Sequence, residues 1–427
     1  MSASRTVAFH TLGCKLNFSE TSTLSRMLES EGFQKKEFDD IADVYVINTC
    51  SVTDNADKEC RHLVRRIQRR SPESLVVITG CYAQLKPKEI AEIEGVDLVL
   101  GAAEKFNIAT HLKELSKGDS TKISSCDIDE VKGFNSSYSL NDRTRTFLKV
   151  QDGCDYNCSF CTIPLARGKS RSDTIANVVA NAKQLATTGV KEIILTGVNL
   201  GDFGINETDT STGLKRKEDF FELIQQLDEV EGIDRYRISS IEPNLLSNDI
   251  ISFVAQSKKF MPHFHIPLQS GSNRILGLMR RRYKRELYAE KVAAIKSVMP
   301  HCCIGADVIV GFPGETEEDF KTTFDFLHTL DISYLHVFTY SERDATAALA
   351  IKPVVPVNVR HARNKTLRNL SYMKMQYFAT QHSGQTRNVL FEKMDKNGMM
   401  EGYTDNYIKV TIPHRQEYVN AITAWTI

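Results

Sequence analysis

The first hundred residues contain three short apolar runs that each end at a cysteine. The runs are residues 7–13, 44–49 and 75–80, and the cysteines are Cys14, Cys50 and Cys81. Helical patterns, such as residues 57–70, lie between the runs. Apolar, β-branched runs alternating with helices predict a parallel sheet with crossover helices. Because the carboxyl ends of parallel strands meet at one edge of a sheet, we expect these three cysteines to converge.

Three cysteines at equivalent strand ends have two interpretations. Each could be a buried packing residue, since cysteine is among the most buried residue types. Their equivalent positions favour instead an iron–sulfur cluster with three protein ligands and one open iron. Four other cysteines share no such pattern and are predicted to be packing residues: Cys60, Cys126, Cys302 and Cys303.

A second set, Cys154, Cys158 and Cys161, has C-x3-C-x2-C spacing and follows a strand-like run. Three thiolates hold three corners of a four-iron cluster and leave one iron open, whereas ordinary ferredoxins supply a fourth cysteine. An open coordination position is typical of catalytic metal sites. The alternatives are a disulfide or a structural zinc, but zinc prefers four ligands in paired form, and no suitably spaced fourth ligand follows.

The alternation of strands and helices continues through the centre of the chain. The candidate strands are residues 146–151, 192–196, 235–240, 264–268, 303–309 and 334–339. Parallel barrels carry their chemistry at the carboxyl ends of the strands. The polar or small residues at these ends are therefore candidates for cofactor contacts: Thr196, Gly197, Asn199, Ser240, Glu242, Gln269 and Asp307.

The last 45 residues, 383–427, contain short alternating runs that predict a small antiparallel barrel. Barrels of this kind bind RNA, and exposed tyrosines and lysines on them stack bases and pair with phosphates. The alternative is a lid or a dimerisation module, because a fold does not fix its function.

The formal net charge is zero, which excludes a globally basic nucleic-acid binder. Two local basic segments remain, a helical face formed by Arg61, Arg65 and Arg69 and the run at residues 280–285. Each is usually a solvated surface, and together they slightly favour a phosphate-bearing partner. No apolar run has the length of a membrane span, and ten cysteines without an export signal favour reduced thiols, so we expect a cytoplasmic protein.

The Cys154–Cys161 loop, with Phe160 before its last cysteine, resembles the radical S-adenosylmethionine (SAM) signature. The whole chain resembles the radical SAM methylthiotransferase family. Residues 11–17 (Thr-Leu-Gly-Cys-Lys-Leu-Asn) are similar to the branch that acts on threonylcarbamoyladenosine in tRNA, and residues 265–272 also match family patterns. The resemblance implies an α/β fold with three domains: an N-terminal parallel-sheet cluster domain at 1–125, a partial (β/α)6 radical SAM barrel at 140–352, and an RNA-binding TRAM-like barrel at 383–427.

The resemblance also implies an activity. The enzyme would add a methylthio group to carbon 2 of threonylcarbamoyladenosine at tRNA position 37, using SAM and two four-iron clusters. Further SAM contacts would come from Tyr156, Phe160 and Val308. The partners would be the anticodon stem-loop of tRNA and an external electron donor of the flavodoxin or ferredoxin type, and the protein would be a monomer. The alternatives are a methylthiotransferase for isopentenyladenosine or a ribosomal protein, and a non-catalytic iron–sulfur RNA-binding protein.

One segment departs from the family pattern. The family usually has a glycine after Arg343 and Asp344, in a Tyr-Ser-x-Arg-x-Gly-Thr segment, where this chain has Ala345. The resemblance therefore does not determine the geometry of the loop after Arg343, and the clusters are not affected.

Overall fold

The computed structural model describes residues 5–51, 54–140, 144–205, 207–208, 213–395 and 397–427. Its N-terminal part is a parallel sheet with the strand order β2-β1-β3-β4-β5-β6. The strands are β1 (Thr6–Thr11), β2 (Gln34–Lys36), β3 (Val44–Thr49), β4 (Leu75–Gly80), β5 (Leu98–Leu100) and β6 (Lys122–Ser124). The helices are α1 (Lys15–Ser30), α2 (Asp54–Arg70), α3 (Cys81–Leu85), α4 (Pro87–Ala91) and α5 (Ile108–Lys113).

The central strands β3 and β4 are buried along their whole length. Alternate side chains of β3 enter two separate apolar clusters: Tyr45 and Ile47 pack with α2, whereas Val44 and Val46 pack with α1 and α5. A strand that is buried on both faces has no polar alternation, which is why these runs are continuously apolar.

The middle of the chain continues the strand–helix alternation. Its strands are β7 (Ser137–Tyr138), β8 (Arg145–Lys149), β9 (Gln151–Asp152), β10 (Arg171–Ser172), β11 (Glu192–Thr196), β12 (Arg235–Ile238), β13 (His263–His265), β14 (Cys303–Val310) and β15 (Tyr334–Thr339). The helices are α6 (Ile163–Arg167), α7 (Ile175–Thr187), α8 (Phe220–Asp228), α9 (Asn248–Gln256), α10 (Asn273–Leu278), α11 (Arg285–Val298), α12 (Glu317–Thr329) and α13 (Val357–Gln381).

Six of these strands run parallel and form the partial barrel. β8, β11 and β12 pair in one sheet, and β13, β14 and β15 pair in another. A parallel bridge between Tyr236 of β12 and Phe260, which precedes β13, links the two sheets. The fourth strand ends at His265, earlier than predicted, and Gln269 takes a φ of 67°, which bends the chain beyond it.

The two faces of the barrel strands differ in chemistry. One set of alternate residues, including Leu148, Ile193 and Tyr236, enters the large apolar core shared with the helices. The other set forms what we call the inner face, which points away from that core. It comprises Arg145, Phe147, Lys149, Glu192, Ile194, Thr196, Arg235, Arg237, His263, His265, Cys303, Gly305, Asp307, Ile309, Tyr334, His336 and Phe338.

Helix α1 of the N-terminal part covers the beginning of the inner face. The Phe18 ring lies edge-on to the Phe147 ring at 5.7 Å, and the Lys149 ammonium lies 3.1 Å from Glu20. The inner face therefore has the N-terminal domain as its neighbour, and not open solvent, along β8.

The C-terminal strands are β16 (Thr386–Met394), β17 (Met399–Thr404), β18 (Lys409–Pro413) and β19 (Ile422–Thr426). They form an antiparallel sheet in the order β18-β17-β16-β19. β18 and β19 are the two edges of this ladder, so its closure into a TRAM-like barrel stays a prediction. The sheet docks on the barrel through Arg237, whose guanidinium donates to the carbonyl oxygens of Thr404 and Asp405 at 2.7 and 2.9 Å.

Candidate functional site

The structure brings the cysteines of the N-terminal domain together. Cys14 immediately precedes α1, Cys50 follows β3, and Cys81 is the first residue of α3. Their strands β1, β3 and β4 are neighbours in the sheet, and the thiols of Cys14 and Cys81 are within electrostatic reach of each other. Gly13, with a φ of 102°, lies so close to Cys50 that an added Cβ would be 2.9 Å from its Sγ.

Asn17 fixes the loops that carry these cysteines. Its amide nitrogen donates to the carbonyl oxygens of Leu12 and Thr49 at 2.8 and 2.9 Å. Asn48 returns a hydrogen bond to the Asn17 carbonyl oxygen at 3.0 Å. These buried bonds connect the ends of β1 and β3 to the start of α1, so Cys14 and Cys50 are held by the backbone around them.

The second triplet lies in the loop after β9. The backbone N–H of Tyr156 donates to the Cys154 sulfur, and that of Ile163 donates to the Cys161 sulfur, both at 3.4 Å. Burial raises the pKa of Cys154 to about 12 and that of Cys161 to about 11. Sulfurs that accept backbone hydrogen bonds are suited to bind an iron–sulfur cluster, because such bonds stabilise the cluster's ligands.

Arg281 contacts the third sulfur of this loop. Its guanidinium lies 3.1 Å from the Cys158 sulfur and also forms an ion pair with Glu242. Arg282 stacks on Tyr156 at 3.9 Å, and Tyr156 accepts a hydrogen bond from Asn244 at 2.7 Å. The basic run at 280–285, which the sequence suggested was a solvated surface, thus holds the cysteine loop.

The predicted cofactor residues after β11 surround Gln151. The Gln151 side-chain oxygen accepts from the backbone N–H groups of Val198 and Asn199 at 2.8 and 2.9 Å. An added Cβ on Gly197 would lie 2.9 Å from the same oxygen, so a larger residue would break this turn. Thr196 is buried at the end of β11, and its hydroxyl donates to the Ile194 carbonyl oxygen.

Asn199 contacts Asp202, a carboxyl group whose pKa is raised. Its amide donates to Asp202 at 2.7 Å. Burial raises the pKa of Asp202 to about 6, with Asp155 and Glu242 adding to the effect. Within the described structure, the side-chain oxygens of Asn199 and Asn244 are buried and accept no hydrogen bond, so this region has acceptors to offer a ligand.

The remaining predicted residues fall into separate groups. Ser240 is half-buried after β12, and Phe160 lies edge-on to Phe312 at 6.3 Å. Gln269 pairs with β14 at Val308. Asp307 lies on the inner face, where its carboxylate is 2.8 Å from His265 and 3.4 Å from His336. The residues at the strand ends are thus not one cluster, although Asp307 is within electrostatic reach of Glu242.

A buried group of charges lies beside the N-terminal triplet. Glu20 is completely buried and forms ion pairs with Lys105 at 2.7 Å, Lys149 at 3.1 Å and Arg167 at 3.2 Å. Arg167, the last residue of α6, also lies 2.8 Å from Asp152. Burial alone would raise the pKa of Glu20, but Arg167, Lys105 and Lys149 outweigh it and hold that pKa far below its usual range.

This charged group suits an anionic ligand at the N-terminal triplet. It contains three cations and the two carboxylates of Glu20 and Asp152. Arg167 is within electrostatic reach of both Cys14 and Cys81. A cluster held by thiolates carries net negative charge, so an excess of buried positive charge beside the sulfurs favours it.

Sequence reasoning missed most of the inner face. The signal was present as alternation in the strands themselves: Arg-Tyr-Arg-Ile in β12, His-Phe-His in β13 and Tyr-Leu-His in β15. Polar residues at every second position of a buried strand indicate that one face of the sheet contacts polar groups or a ligand.

Comparisons with known proteins agree with this architecture. Residues 6–101 match the model of uncharacterized protein family UPF0004, and residues 148–327 match that of the radical SAM superfamily. The chain is 38% identical over 424 residues to threonylcarbamoyladenosine tRNA methylthiotransferase MtaB of Bacillus subtilis, which covers 98% of this chain and 92% of that protein. It is 39% identical to the protein of the same name from Aquifex aeolicus, over 95% of this chain and 96% of that protein.

The chain belongs to the MtaB-type methylthiotransferases.

This membership confirms the predicted family and makes the protein an enzyme, a transferase. Radical SAM enzymes use SAM and a four-iron cluster, and the methylthiotransferases carry a second cluster, as the two cysteine triplets predicted. A more distant relative is tRNA-2-methylthio-N(6)-dimethylallyladenosine synthase of Clostridium botulinum, 31% identical over 91% of this chain and 86% of that protein.

A solved structure shows the same fold as this methylthiotransferase. The radical SAM methyltransferase TsrM of Kitasatospora setae, with cobalamin and a [4Fe-4S] cluster, has a TM-score of 0.56 at 16% identity and covers 79% of this chain and 75% of its own. The predicted α/β fold class with a radical SAM barrel is thereby confirmed. None of the helices that the structure describes is long and apolar enough to cross a membrane.

Proposed function

We propose that this enzyme adds a methylthio group to carbon 2 of N6-threonylcarbamoyladenosine at position 37 of tRNA, next to the anticodon. The observation that supports this substrate is the identity of 34–39%, over nearly the whole chain, to relatives named for threonylcarbamoyladenosine. Relatives named for dimethylallyladenosine match at 31%. Dimethylallyladenosine is therefore the second candidate substrate.

Each cysteine triplet would hold one cluster. Cys154, Cys158 and Cys161 would be the ligands in the barrel, and Cys14, Cys50 and Cys81 those in the N-terminal domain. When bound, the two clusters supply the electron that cleaves SAM and the sulfur that is transferred. The residues proposed to contact SAM are Tyr156, Phe160, Thr196, Gly197, Asn199, Ser240, Glu242, Gln269, Asp307 and Val308.

The chain's own residues prepare this site. Arg281 places a buried positive charge against the Cys158 sulfur and balances Glu242, so the barrel loop stays fixed when its sulfurs are charged. Asp202, with its pKa of about 6, can hold a proton near neutral pH beside Cys154. Phe18 packs edge-on against Phe147 and places apolar surface at the beginning of the inner face.

The proposed partners follow from the chemistry. The anticodon stem-loop of tRNA would contact the exposed arginines of α2 and the C-terminal sheet, since basic and aromatic side chains bind RNA. An external donor of the flavodoxin or ferredoxin type would supply electrons. We also propose that the enzyme is a monomer and acts in the cytoplasm, where tRNA is modified.

The decisive experiment is nucleoside mass spectrometry of tRNA from a strain that lacks the gene. We expect the 2-methylthio form of threonylcarbamoyladenosine to disappear and the unmethylthiolated nucleoside to accumulate. A plasmid copy of the gene should restore it. Loss of methylthiolated dimethylallyladenosine instead, with the threonylcarbamoyl nucleoside unchanged, would contradict the proposed substrate.

The division of labour between the triplets can be tested in one reaction. Cys158→Ala should abolish both 5′-deoxyadenosine and methylthiolated RNA, because the barrel triplet is needed for SAM cleavage. Cys81→Ala should still form 5′-deoxyadenosine and fail to form methylthiolated RNA. Full product formation by the Cys81→Ala enzyme would show that the N-terminal triplet is not the source of the sulfur.

A further inference from the structure

Lys15 is a cation beside the site to which the proposed chemistry gives no role. It is the first residue of α1 and directly follows Cys14. Its charge is within electrostatic reach of three inner-face residues, Arg145, Arg237 and Asp307. Helix α1 lies along β8, so Lys15 lies between the N-terminal triplet and the inner face of the barrel.

The inner-face cations near Lys15 have partners. Arg145 forms an ion pair with Glu392 at 2.6 Å, and Arg237 forms one with Glu192 at 2.9 Å. Lys149 is bound by Glu20. Each of these cations is therefore paired with a carboxylate of the protein, and binding a charged ligand would disturb that pair.

The Lys15 ammonium differs from them. Across the described ranges, no hydrogen bond or ion pair joins it, and its side chain is exposed. Asp307, the acidic residue within reach, is already bound by His265 and His336. Lys15 differs from an ordinary surface lysine because barrel residues lie on one side of it and the N-terminal cysteine triplet lies on the other. Because Lys15 is a cation with no carboxylate bound to it, an anion is the favoured ligand.

The substrate of the named relatives carries such an anion. Threonylcarbamoyladenosine has a free threonine carboxylate on N6, whereas a dimethylallyl group is apolar and neutral. In adenine, carbon 2 and the carbon that carries N6 are both bonded to N1. The N6 substituent therefore lies on the same edge of the base as the carbon that receives the methylthio group. A base that presents carbon 2 to the N-terminal triplet brings its N6 substituent to the neighbourhood of Lys15.

We propose that Lys15 binds the threonine carboxylate of the target nucleoside and so selects it over adenosines with a neutral N6 substituent. This proposal rests on the proposed function, because it assumes that threonylcarbamoyladenosine is the substrate. Lys15 acts as a specificity-determining residue and takes no part in the transfer itself.

The proposal predicts a defect in binding and not in chemistry. A hydrogen bond to a charged group contributes enough binding energy that its loss should raise KM and the RNA dissociation constant about 10- to 100-fold. The maximal rate should change little, since the pair exists before and during transfer. Lys15→Arg keeps the charge and should recover most of the affinity.

The experiment compares Lys15→Gln and Lys15→Arg with wild type, as full-length enzymes with reconstituted clusters. Lys88→Gln is the matched control, because Lys88 is an exposed lysine of the same domain. Three anticodon stem-loop RNAs differ only in the N6 group: threonylcarbamoyl, its carboxamide analogue, and dimethylallyl. The readouts are the RNA dissociation constant, KM, kcat, 5′-deoxyadenosine and iron content.

We expect Lys15→Gln to weaken binding of the carboxylate RNA and to leave the affinity for the carboxamide and dimethylallyl RNAs within about twofold of wild type, because a charge-assisted bond is the one lost. Iron content and 5′-deoxyadenosine should be unchanged, and Lys88→Gln should behave as wild type. Equal weakening of all three RNAs, or a loss of iron with no preference among them, would overturn the proposal. Wild-type enzyme that modifies the dimethylallyl RNA and not the threonylcarbamoyl RNA would refute the proposed function itself.

Discussion

Gly13 occupies a position where both the backbone and a neighbour exclude a side chain. Its φ of 102° is in the region that favours glycine, and an added Cβ would lie 2.7 Å from the Cys50 Cβ. Gly13→Ala should therefore displace Cys50 and remove the cluster of the N-terminal domain. Reconstituted protein should fall from about eight irons to about four, one cluster's share, with SAM cleavage retained.

Gly32→Ala is the matched control for this prediction. Gly32 also has a positive φ, 91°, but an added Cβ would meet no atom within 4 Å. Both variants share the backbone strain of about 1–2 kcal/mol, and Gly13→Ala alone has the steric conflict with Cys50. Equal iron contents in the two proteins would show that Cys50 is not a ligand.

Glu20 should control the response of the protein to acid. Because its partners depress its folded-state pKa, its ion pairs stabilise the fold above the ordinary carboxyl pKa, and this stability is lost as pH falls from there towards the depressed value. Glu20→Gln leaves three buried cations with less compensation and should lower the free energy of unfolding by about 3–5 kcal/mol at pH 7. It should also flatten the decline of that free energy between about pH 5 and pH 3.

Urea titrations across this pH range measure both effects. The control is Glu31→Gln, which removes an exposed ion pair with Lys113 and should cost less than about 1 kcal/mol. A Glu20→Gln protein with the stability and pH dependence of wild type would contradict the role of the buried charges.

Helix α2 presents a smaller basic surface than its sequence predicted. Arg61 is bound by Glu89 and donates to the Tyr82 hydroxyl at 3.1 Å, so Arg65 and Arg69 are the exposed members of the predicted face. Replacing both with Gln should make tRNA binding less dependent on salt. The slope of log K against log salt should fall by up to about 1.4, or 0.7 for each lost phosphate contact.

The control for the helix is a Lys183→Gln/Lys258→Gln protein, which removes two exposed charges from the barrel. SAM cleavage should be normal in both double variants, since neither touches a cysteine loop. An unchanged salt slope in the α2 variant would exclude this helix from the RNA interface.

Most helices and strands were predictable from the sequence, because local sequence patterns determine where they form. β11 and β15 have the predicted bounds because turn residues and helix caps enclose short β-branched or aromatic runs. The side-chain contacts between different elements were not predictable. That Arg281 contacts Cys158, or that Glu20 pairs with Lys149, depends on contacts between residues more than a hundred positions apart, which no local pattern specifies.

Ala345 occupies the position where the family pattern has a glycine. The departure from glycine raised a question about this loop, and Ala345 has a φ of 61°, the conformation that glycine favours. The turn is closed by the Thr346 hydroxyl, which donates to the Arg343 carbonyl oxygen at 2.7 Å, and Arg343 pairs with Asp57 of α2 at 2.8 Å. Ala345 therefore forms this turn with a strained backbone conformation.

At the scale of the whole molecule, the C-terminal sheet is part of the barrel's structure. Besides the bonds of Arg237, buried Arg235 donates to the carbonyl oxygens of Tyr403 and Asn388 at 3.1 and 2.8 Å. The Tyr407 ring stacks on His263 at 4.1 Å. Removing residues 383–427 leaves two buried guanidiniums without these acceptors, which is costly because each such bond contributes about 1.5–3 kcal/mol.

We therefore expect the truncated protein to lose thermal stability and SAM cleavage together. Thermal unfolding and 5′-deoxyadenosine formation measure the two effects. The comparison is Lys409→Gln, an exposed substitution on the same sheet that should leave both intact. A truncated protein that unfolds at the wild-type temperature and cleaves SAM normally would identify the sheet as an independent module.

The buried charges also bear on how the chain folds as it leaves the ribosome. Glu20 is synthesised early, but Lys149 and Arg167 follow 129 and 147 residues later. Until both have emerged, the N-terminal sheet cannot bury this carboxylate with its full set of partners, because an incompletely paired buried charge is costly. We therefore expect the first domain to complete its packing only after the start of the second has been synthesised, with its cysteines accessible to solvent until then.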